Sequence, residues 1–187
     1  MARHRTIEED TILDSAERVI IENGAANFTL DAVAACAGIS KGSVVRDYGT
    51  KQDLIRAIVR RRFNEYQAML NDAECAQPVQ GPQARIAAHV EVACLPLPEE
   101  QRVAASQLCY SLANDRQLTD IITAHYQREI DAVSAPGVNS GALLALLALE
   151  GIKSIELFGS HKWPDAERER LLARIAKLAN SDVGGGA

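Results

Sequence analysis

Hydroxyl groups and basic side chains are concentrated between residues 29 and 51 of this 187-residue chain. Thr29, Ser40 and Thr50 each precede a run with helical periodicity, so their hydroxyls are predicted to cap helix N-termini. A helix N-terminus also favours phosphate, because its N–H groups are unpaired and its dipole is positive there. Lys51 adds a positive charge beside the third cap. These positions could therefore bind the phosphate backbone of a nucleic acid.

The segment from residue 41 to residue 46 has residue types that contact the edges of bases. Lys41 and Ser43 flank Gly42, whose missing side chain would let the backbone approach a partner closely. Arg46, one helical turn later, can bind a phosphate or form two hydrogen bonds with guanine. Taken singly, such residues are more often helix caps or solvated charges. The prediction of DNA contact depends on the whole set occurring in one short segment.

Short helices must position these residues. A first helix is predicted over the apolar positions from Ile12 to Ile20. A second helix begins after Thr29 and ends at Gly38, and a third begins after Ser40, so that only Ala37-Gly38-Ile39 joins the last two. This length suits the corner of a helix-turn-helix, whose exposed second helix fits the major groove of DNA.

Helical periodicity continues through the rest of the chain, which predicts an all-α fold with a three-helix head, a larger helical body and about nine helices in total. A fourth helix is expected at about residues 54–70, and a polar loop containing two prolines from Asn71 to Pro82. The body helices are expected at Gln83–Cys94, Pro98–Ala113, Asp115–Val133, Asn139–Phe158 and Pro164–Ala179.

Composition agrees with this fold and limits the function. Of all residues 47% are hydrophobic but only 4% aromatic, a balance that favours helices. The net charge is −5, yet Met1 to Arg62 carries ten Lys and Arg against nine Asp and Glu, so the acidity lies in the body. No apolar stretch reaches the roughly 20 residues of a membrane span, and the N-terminus does not resemble a secretory signal. A cytoplasmic protein that does not bind membranes is expected.

The cysteines and histidines do not form a recognisable site. Their spacing includes no CxxC pair and no metal-ligand pattern, so reduced thiols, no metal and no cofactor are expected. Cys94 with His89, or Cys109 with His125, could be imagined as a nucleophile and its base, but neither pair lies in a known motif and an enzyme would leave the head unexplained. A redox sensor acting through Cys36 or Cys109 is a further alternative.

Three blocks of the head resemble the N-terminal domain of TetR-type transcriptional regulators in order and spacing: A-E-R-V-I-I-E-N-G, F-T-L-D-A-V-A-A-C-A-G-I-S-K-G-S-V and Y-G-T-K-Q-D-L. The body resembles that family only in length and helix count. The resemblance implies a repressor that binds a palindromic operator as a homodimer and responds to a small-molecule effector. Residues 1–53 would be the DNA-binding domain, helix 54–70 a connection, and residues 71–187 the ligand-binding and dimerisation domain. The DNA-binding residues would be Thr29, Ser40, Lys41, Gly42, Ser43, Arg46, Asp47, Thr50 and Lys51.

Two positions depart from the family pattern. Val45 and Asp47 stand where the family usually has a Tyr and a His that contact the DNA backbone. Val45 lacks a hydroxyl donor, and Asp47 places a negative charge where a phosphate is expected. Asp47 could instead accept a hydrogen bond from cytosine or pair with Arg46. The alternative function is a helical small-molecule-binding or interaction protein whose head has lost ordinary DNA binding.

The body offers two further sets of residues. The resemblance implies that its last two helices pair with those of a second subunit, although such apolar stripes are usually monomer core. The dimer candidates are Leu143, Leu147, Gly151, Ser154, Phe158, Leu171, Ile175 and Leu178. The pocket candidates are Tyr66, Cys94, Cys109, Tyr110, Tyr126 and Trp163. The acidic body favours a neutral or cationic, apolar ligand.

Overall fold

The structure, a computed structural model, describes residues 2–78, 81–95, 97–112, 115–134 and 140–181. These residues form nine α-helices and a short 3₁₀ turn at Ala25–Asn27, which confirms the all-α prediction. The helices are α1 (Ala2–Asn23), α2 (Leu30–Ala37), α3 (Lys41–Tyr48), α4 (Lys51–Cys75), α5 (Pro82–Cys94), α6 (Glu99–Leu112), α7 (Arg116–Val133), α8 (Ser140–Leu157) and α9 (Asp165–Leu178). No helix in the described part of the chain is long and apolar enough to cross a membrane.

The chain divides into two compact units. The first unit comprises Met1–Phe63 and Pro98–Ile121, and the second comprises Asn64–Leu97 and Ile122–Ala187. The first unit therefore contains α4 as far as Phe63, α6 and the beginning of α7 in addition to the predicted head of residues 1–53.

The first unit has a small apolar core. The apolar side of α1 is buried together with Phe28, which precedes α2, and with residues of α2, α3 and α4. The core includes Ile12, Val19, Ile20, Phe28, Val33, Val44, Leu54 and Ile58. Gly38 ends α2 with a left-handed φ of 69° and donates its backbone N–H to the carbonyls of Ala34 and Ala35. A side chain is strained in that conformation, so glycine allows the tight corner before α3.

Contacts within the first unit also tie α6 and α7 to the head. The Ala25 N–H, at the start of the 3₁₀ turn, donates to Gln107 Oε1 of α6 at 2.8 Å. Asp115 caps α7 by accepting the Leu118 N–H at 3.1 Å. The two oxygens of the same carboxylate share the single Nε–H of Arg56, at N···O distances of 2.9 and 3.1 Å. These polar contacts hold the α6–α7 segment against the turn after α1 and against α4.

The second unit has its main core between α5, α8 and α9. Leu146 and Leu149 of α8 are buried with Ile86 of α5 and Leu172 of α9. Gly141 allows the close approach, because a Cβ at that position would lie 2.2 Å from the Leu178 carbonyl oxygen. Any larger residue at 141 would force the end of α9 away.

The predicted boundaries of α5 to α9 agree with the structure to within one residue at the described ends. The prediction for α1 was too short, because the helix begins at Ala2, ten residues before the predicted apolar run that starts at Ile12, and α4 begins at Lys51 instead of residue 54. The prediction of a loop from Asn71 was wrong, since α4 continues to Cys75. Leu70 and Ala73 are buried against Ala88 and Val92 of α5. This packing extends the helix through a polar sequence. The predicted termini Ala113 and Asn139 lie outside the described residues.

Candidate nucleic-acid interface

Three hydroxyl side chains cap the helices of the head, as the sequence predicts. Thr29 Oγ1 accepts the Ala32 N–H at 3.1 Å, and Ser40 Oγ accepts the Ser43 N–H at 3.1 Å. Each hydroxyl satisfies one of the N–H groups that a helix leaves unpaired at its start. Thr29 thus stabilises the start of α2, and Ser40 stabilises the start of α3 at the corner between the two helices.

Thr50 caps α4 through a reciprocal pair of bonds. Its Oγ1 accepts the Asp53 N–H at 3.1 Å and donates to the Asp53 carboxylate at 2.5 Å. The hydrogen bond from Thr50 lowers the pKa of Asp53, and the charge of Arg56 lowers it further. Asp53 therefore keeps its negative charge in the first turn of α4, where the helix dipole favours it.

One side of α3 is open to solvent. Val44 is completely buried, with 0% of its surface exposed, whereas Gly42, Val45 and Arg46 are exposed. Because residues three or four positions apart share a helix face, these three form one surface opposite Val44. Lys41 is exposed at the beginning of the same helix.

Gly42 is not required by the packing of the chain. Its φ is not positive, and a Cβ built there would meet only Ser40 Oγ, at an ordinary contact distance of 3.7 Å. A glycine in an exposed helix lowers helix stability by roughly 0.5–1 kcal/mol relative to alanine. A partner that approaches the backbone closely would explain the glycine.

The basic side chains of this surface have carboxylate or carbonyl partners. Lys41 Nζ lies 2.8 Å from Asp31 Oδ2, and Arg46 Nε lies 3.0 Å from Asp47 Oδ1. Pairing with Arg46 was one of the two roles that the sequence analysis considered for Asp47, and the structure contains this ion pair. Lys51 Nζ lies 3.3 Å from the Ala25 carbonyl oxygen and 5.6 Å from the centre of the Phe28 ring.

Two family models match the sequence. Residues 12–58 match the bacterial regulatory proteins of the tetR family, and residues 83–180 match the tetracyclin repressor-like C-terminal domain. The chain belongs to the TetR family. The resemblance noted in the head is thereby confirmed and extended to the body. The protein is a DNA-binding transcriptional regulator.

Several solved structures share the fold. A TetR-family regulator from Streptomyces coelicolor has a TM-score of 0.74 at 16% identity, over 94% of this chain and 95% of that chain. A transcriptional regulator from Rhodococcus sp. Rha1 has a TM-score of 0.71 at 20% identity, over 93% and 97%. The multidrug binding protein EbrR, complexed with ethidium, has a TM-score of 0.63 at 20% identity, over 90% and 97%. Comparison with curated proteins finds no match.

The pocket candidates of this TetR-family chain fall in both units. Cys109 and Tyr110 belong to the first unit, and the side chain of Tyr110 lies outside the described residues. The other four belong to the second unit: Tyr66, Cys94, Tyr126 and Trp163. Cys94 is exposed, whereas Trp163 is half-buried and packs against the main core.

Within the second unit, the structure brings Tyr66 and Tyr126 together around a histidine. The His125 ring is centred 6.1 Å from the Tyr66 ring and 5.4 Å from the Tyr126 ring. His125 is buried, which lowers its pKa. These three rings form an aromatic cluster on α4 and α7.

A chain of polar contacts adjoins this aromatic cluster. Glu129 is only 1% exposed and accepts two bonds from Arg85, from Nε at 2.7 Å and from Nη2 at 2.6 Å. His89 Nε2 lies 2.9 Å from Glu129 Oε2 and donates to it, because a carboxylate can only accept. Burial alone would raise the pKa of Glu129, but the bonds from His89 and Arg85 lower it to about 2.

The contacts continue from His89 to α8. His89 Nδ1 lies 3.2 Å from the Tyr66 hydroxyl, which also accepts a bond from Lys153 Nζ at 2.8 Å. Lys153 donates to Glu150 at 2.6 Å, and Glu150 in turn accepts the Tyr126 hydroxyl at 3.0 Å. Burial and the neighbouring Glu150 charge raise the pKa of Tyr126 to about 12, so this phenol remains a donor at neutral pH.

The sequence analysis missed most of this polar network. Arg85 and His89 are four residues apart on α5, and His125 and Glu129 are four residues apart on α7, so each pair shares a helix face. Both pairs interrupt faces that are otherwise apolar, which was a detectable signal. In the described residues, no group of three His, Cys, Asp or Glu side chains is arranged to hold a metal ion.

The dimer candidates divide by exposure. On α8 and at the residue that follows it, four candidates are exposed, namely Leu147, Gly151, Ser154 and Phe158, whereas Leu143 is half-buried against the core. On α9, the apolar candidates pack within their own subunit: Ile175 is buried, Leu171 packs beside it, and Leu178 is half-buried. The exposed candidates are therefore those of α8.

Proposed function

We propose that this TetR-family protein is a ligand-responsive repressor that binds a roughly palindromic DNA site as a homodimer in the cytoplasm. In each subunit α3 enters the major groove, and Gly42 lets its backbone approach the DNA. The observation that carries the proposal is the exposed, capped surface of α3, where a glycine occurs that no contact within the chain requires.

The role of each residue in DNA binding follows from its position. Ser43 lies near the start of α3, and Arg46 lies one turn later. Both are proposed to contact base edges, as residues at these positions do in other helix-turn-helix proteins. Thr29, Ser40 and Thr50 mark helix N-termini, whose N–H groups favour phosphate and set the orientation of the head. Val45 is exposed and apolar, so it is suited to contact the methyl group of thymine.

Dimerisation is proposed to use the exposed face of α8. Leu144, Leu147, Gly151, Ser154 and Phe158 follow one another at alternating spacings of three and four residues, and all five are exposed. This spacing produces a continuous apolar seam along one side of a helix. A Cβ at Gly151 would meet nothing within 4 Å, so the small residue leaves room for a second helix to approach. A two-fold dimer would present two recognition helices to successive major-groove faces.

The effector is proposed to bind beside the aromatic cluster of Tyr66, His125 and Tyr126. The aromatic rings favour a flat molecule, and the net acidic body favours one that is neutral or cationic. The likeness to EbrR supports this class, because EbrR is a multidrug binding protein and its complex contains ethidium. Binding would alter DNA affinity by stabilising one arrangement of the two heads over another.

Selection of bound sequences from random duplexes tests the DNA-binding proposal. We expect enrichment of a palindrome whose half-sites are separated by about one helical turn. Ethidium, as a representative flat cation, should be titrated into the protein without DNA to test the effector class, because it intercalates into duplexes by itself. A folded dimer that enriches no sequence would contradict the proposal and favour the alternative in which the head has lost DNA binding.

Replacing Gly42 with alanine should have opposite effects on stability and on DNA binding. Alanine favours the helix, so the free energy of unfolding should rise by about 0.5–1 kcal/mol. The added methyl group would meet the DNA, and affinity for the selected site should fall about 10-fold, the equivalent of about 1.4 kcal/mol. Chemical denaturation and fluorescence anisotropy measure the two quantities.

Glu22→Ala, an exposed change on α1, serves as the control for Gly42→Ala. It should leave DNA affinity unchanged. Unchanged affinity of Gly42→Ala would show that the backbone of α3 does not approach DNA at this position.

A further inference from the structure

Arg46 and Asp47 form an ion pair between adjacent residues of the exposed recognition helix. Arg46 Nε donates to Asp47 Oδ1 at 3.0 Å, and Nη2 lies 3.4 Å from Oδ2. The Arg46 side chain is 68% exposed. The carboxylate therefore holds one edge of a guanidinium group that faces solvent.

A guanidinium has two hydrogen-bonding edges, Nε–Nη2 and Nη1–Nη2. Its plane is rigid, and the five N–H donors have a fixed geometry, so a carboxylate on the Nε–Nη2 edge determines the orientation of the Nη1–Nη2 edge. That edge matches O6 and N7 of guanine in the major groove. Holding the side chain in advance reduces the rotamer entropy that base contact would cost.

The same carboxylate changes how Arg46 interacts with phosphate. The pair has no net charge, so its attraction to a phosphate is much weaker than that of an isolated arginine, and Asp47 itself repels the phosphate. The acceptors of guanine carry only partial charges and suffer less from this repulsion. Asp47 should therefore lower nonspecific affinity more than affinity for a site with guanine at the contacted position.

We propose that Arg46 and Asp47 form one guanine-reading unit, in which Arg46 contacts the base and Asp47 is a positioning residue that also disfavours phosphate contact. This inference rests on the proposed DNA-binding function. It assigns Asp47, a departure from the family pattern, to sequence discrimination.

The test compares the wild type with Arg46→Ala and Asp47→Asn by selection from random duplexes and by anisotropy on the selected site. Both variants should lose the preference for guanine at the same position in each half-site, by about 10-fold in relative affinity. Asp47→Asn should also bind random duplex at least about three-fold more tightly. For Asp47→Asn, the slope of log affinity against log salt concentration should become steeper by about 0.9 per subunit, because Arg46 could then neutralise a phosphate.

Asp31→Asn is the matched control. It removes one carboxylate from the other exposed ion pair of the head, Lys41–Asp31, whose acidic partner lies on α2. It should retain the guanine preference of the wild type, and thermal denaturation should show that all three variants fold.

Three outcomes would overturn the inference. The first is a guanine preference that survives Arg46→Ala or Asp47→Asn. The second is an equal loss of the guanine preference in Asp31→Asn, which would show that Asp47 acts only through its negative charge. In both cases the wild type still selects a site, so the proposed function stands. If the wild type enriches no sequence, the proposed function fails and this inference fails with it.

Discussion

Replacing Glu129 with glutamine should lower the free energy of unfolding by about 3 kcal/mol at pH 7, since removal of one partner leaves a buried charge uncompensated. Arg85 is buried and directs two N–H groups at this carboxylate. A glutamine keeps the shape of the side chain but cannot balance the charge or accept both bonds. Arg85 would retain two partners at Nη1, the half-buried Glu74 at 2.9 Å and the neutral Asn71 at 3.1 Å.

The pH dependence of this effect follows from the pKa of Glu129. The folded chain holds the pKa at about 2, whereas the ordinary value is 4.5, so the unfolded chain takes up the proton first as the pH falls. The stabilisation is complete above about pH 4.5 and is lost between that pH and pH 2. At pH 3 about 2 kcal/mol of it should be gone, so the wild type and Glu129→Gln should differ by only about 1 kcal/mol.

Urea denaturation at pH 7 and pH 3, at one fixed protein concentration, measures both differences. Asp131→Asn is the control, because Asp131 lies on the same helix but is exposed, and it should change stability by less than about 0.5 kcal/mol. If Glu129→Gln were as stable as Asp131→Asn at pH 7, the buried ion pair would contribute nothing to the fold.

The head could be predicted from the sequence because its structure is determined by local interactions. A capping hydroxyl and the N–H it accepts are three residues apart at both Thr29 and Ser40. Gly38 ends α2 through its own backbone conformation. Each of these features depends on neighbours along the chain, so residue type and spacing were sufficient.

The contacts of the body could not be predicted in the same way, because they join residues that are distant in sequence. Glu129 meets Arg85 across 44 positions, and Lys153 meets Tyr66 across 87. The apolar stripes of α9 show only that one face is buried, not whether the partner is the same chain or a second one. Leu147 and Ile175 both occupy apolar helix faces, but in the folded subunit Leu147 is exposed and Ile175 is buried.

The Leu147→Glu substitution should convert the dimer to a monomer and weaken binding to a palindromic site by at least about 100-fold. Leu147 is 55% exposed in the folded subunit, so glutamate should be tolerated there by the isolated chain. In the proposed dimer the same position lies in the apolar seam of α8, where a carboxylate would be buried without a partner. A monomer contacts only one half-site and loses the contacts of the second.

Leu97→Glu is the matched control for Leu147→Glu. Leu97 is also in the second unit and is equally exposed, at 58%, but it lies outside α8. Sedimentation velocity should show a dimer for the wild type and Leu97→Glu and a monomer for Leu147→Glu, with the same helical circular dichroism for all three. If Leu147→Glu remained a dimer, the exposed face of α8 could not be the interface; loss of the dimer in both variants would show that added negative charge, not the seam, controls association. A monomeric Leu147→Glu that still bound the palindrome as tightly as the wild type would separate DNA binding from dimerisation, since α3 of a single subunit would then account for the whole affinity.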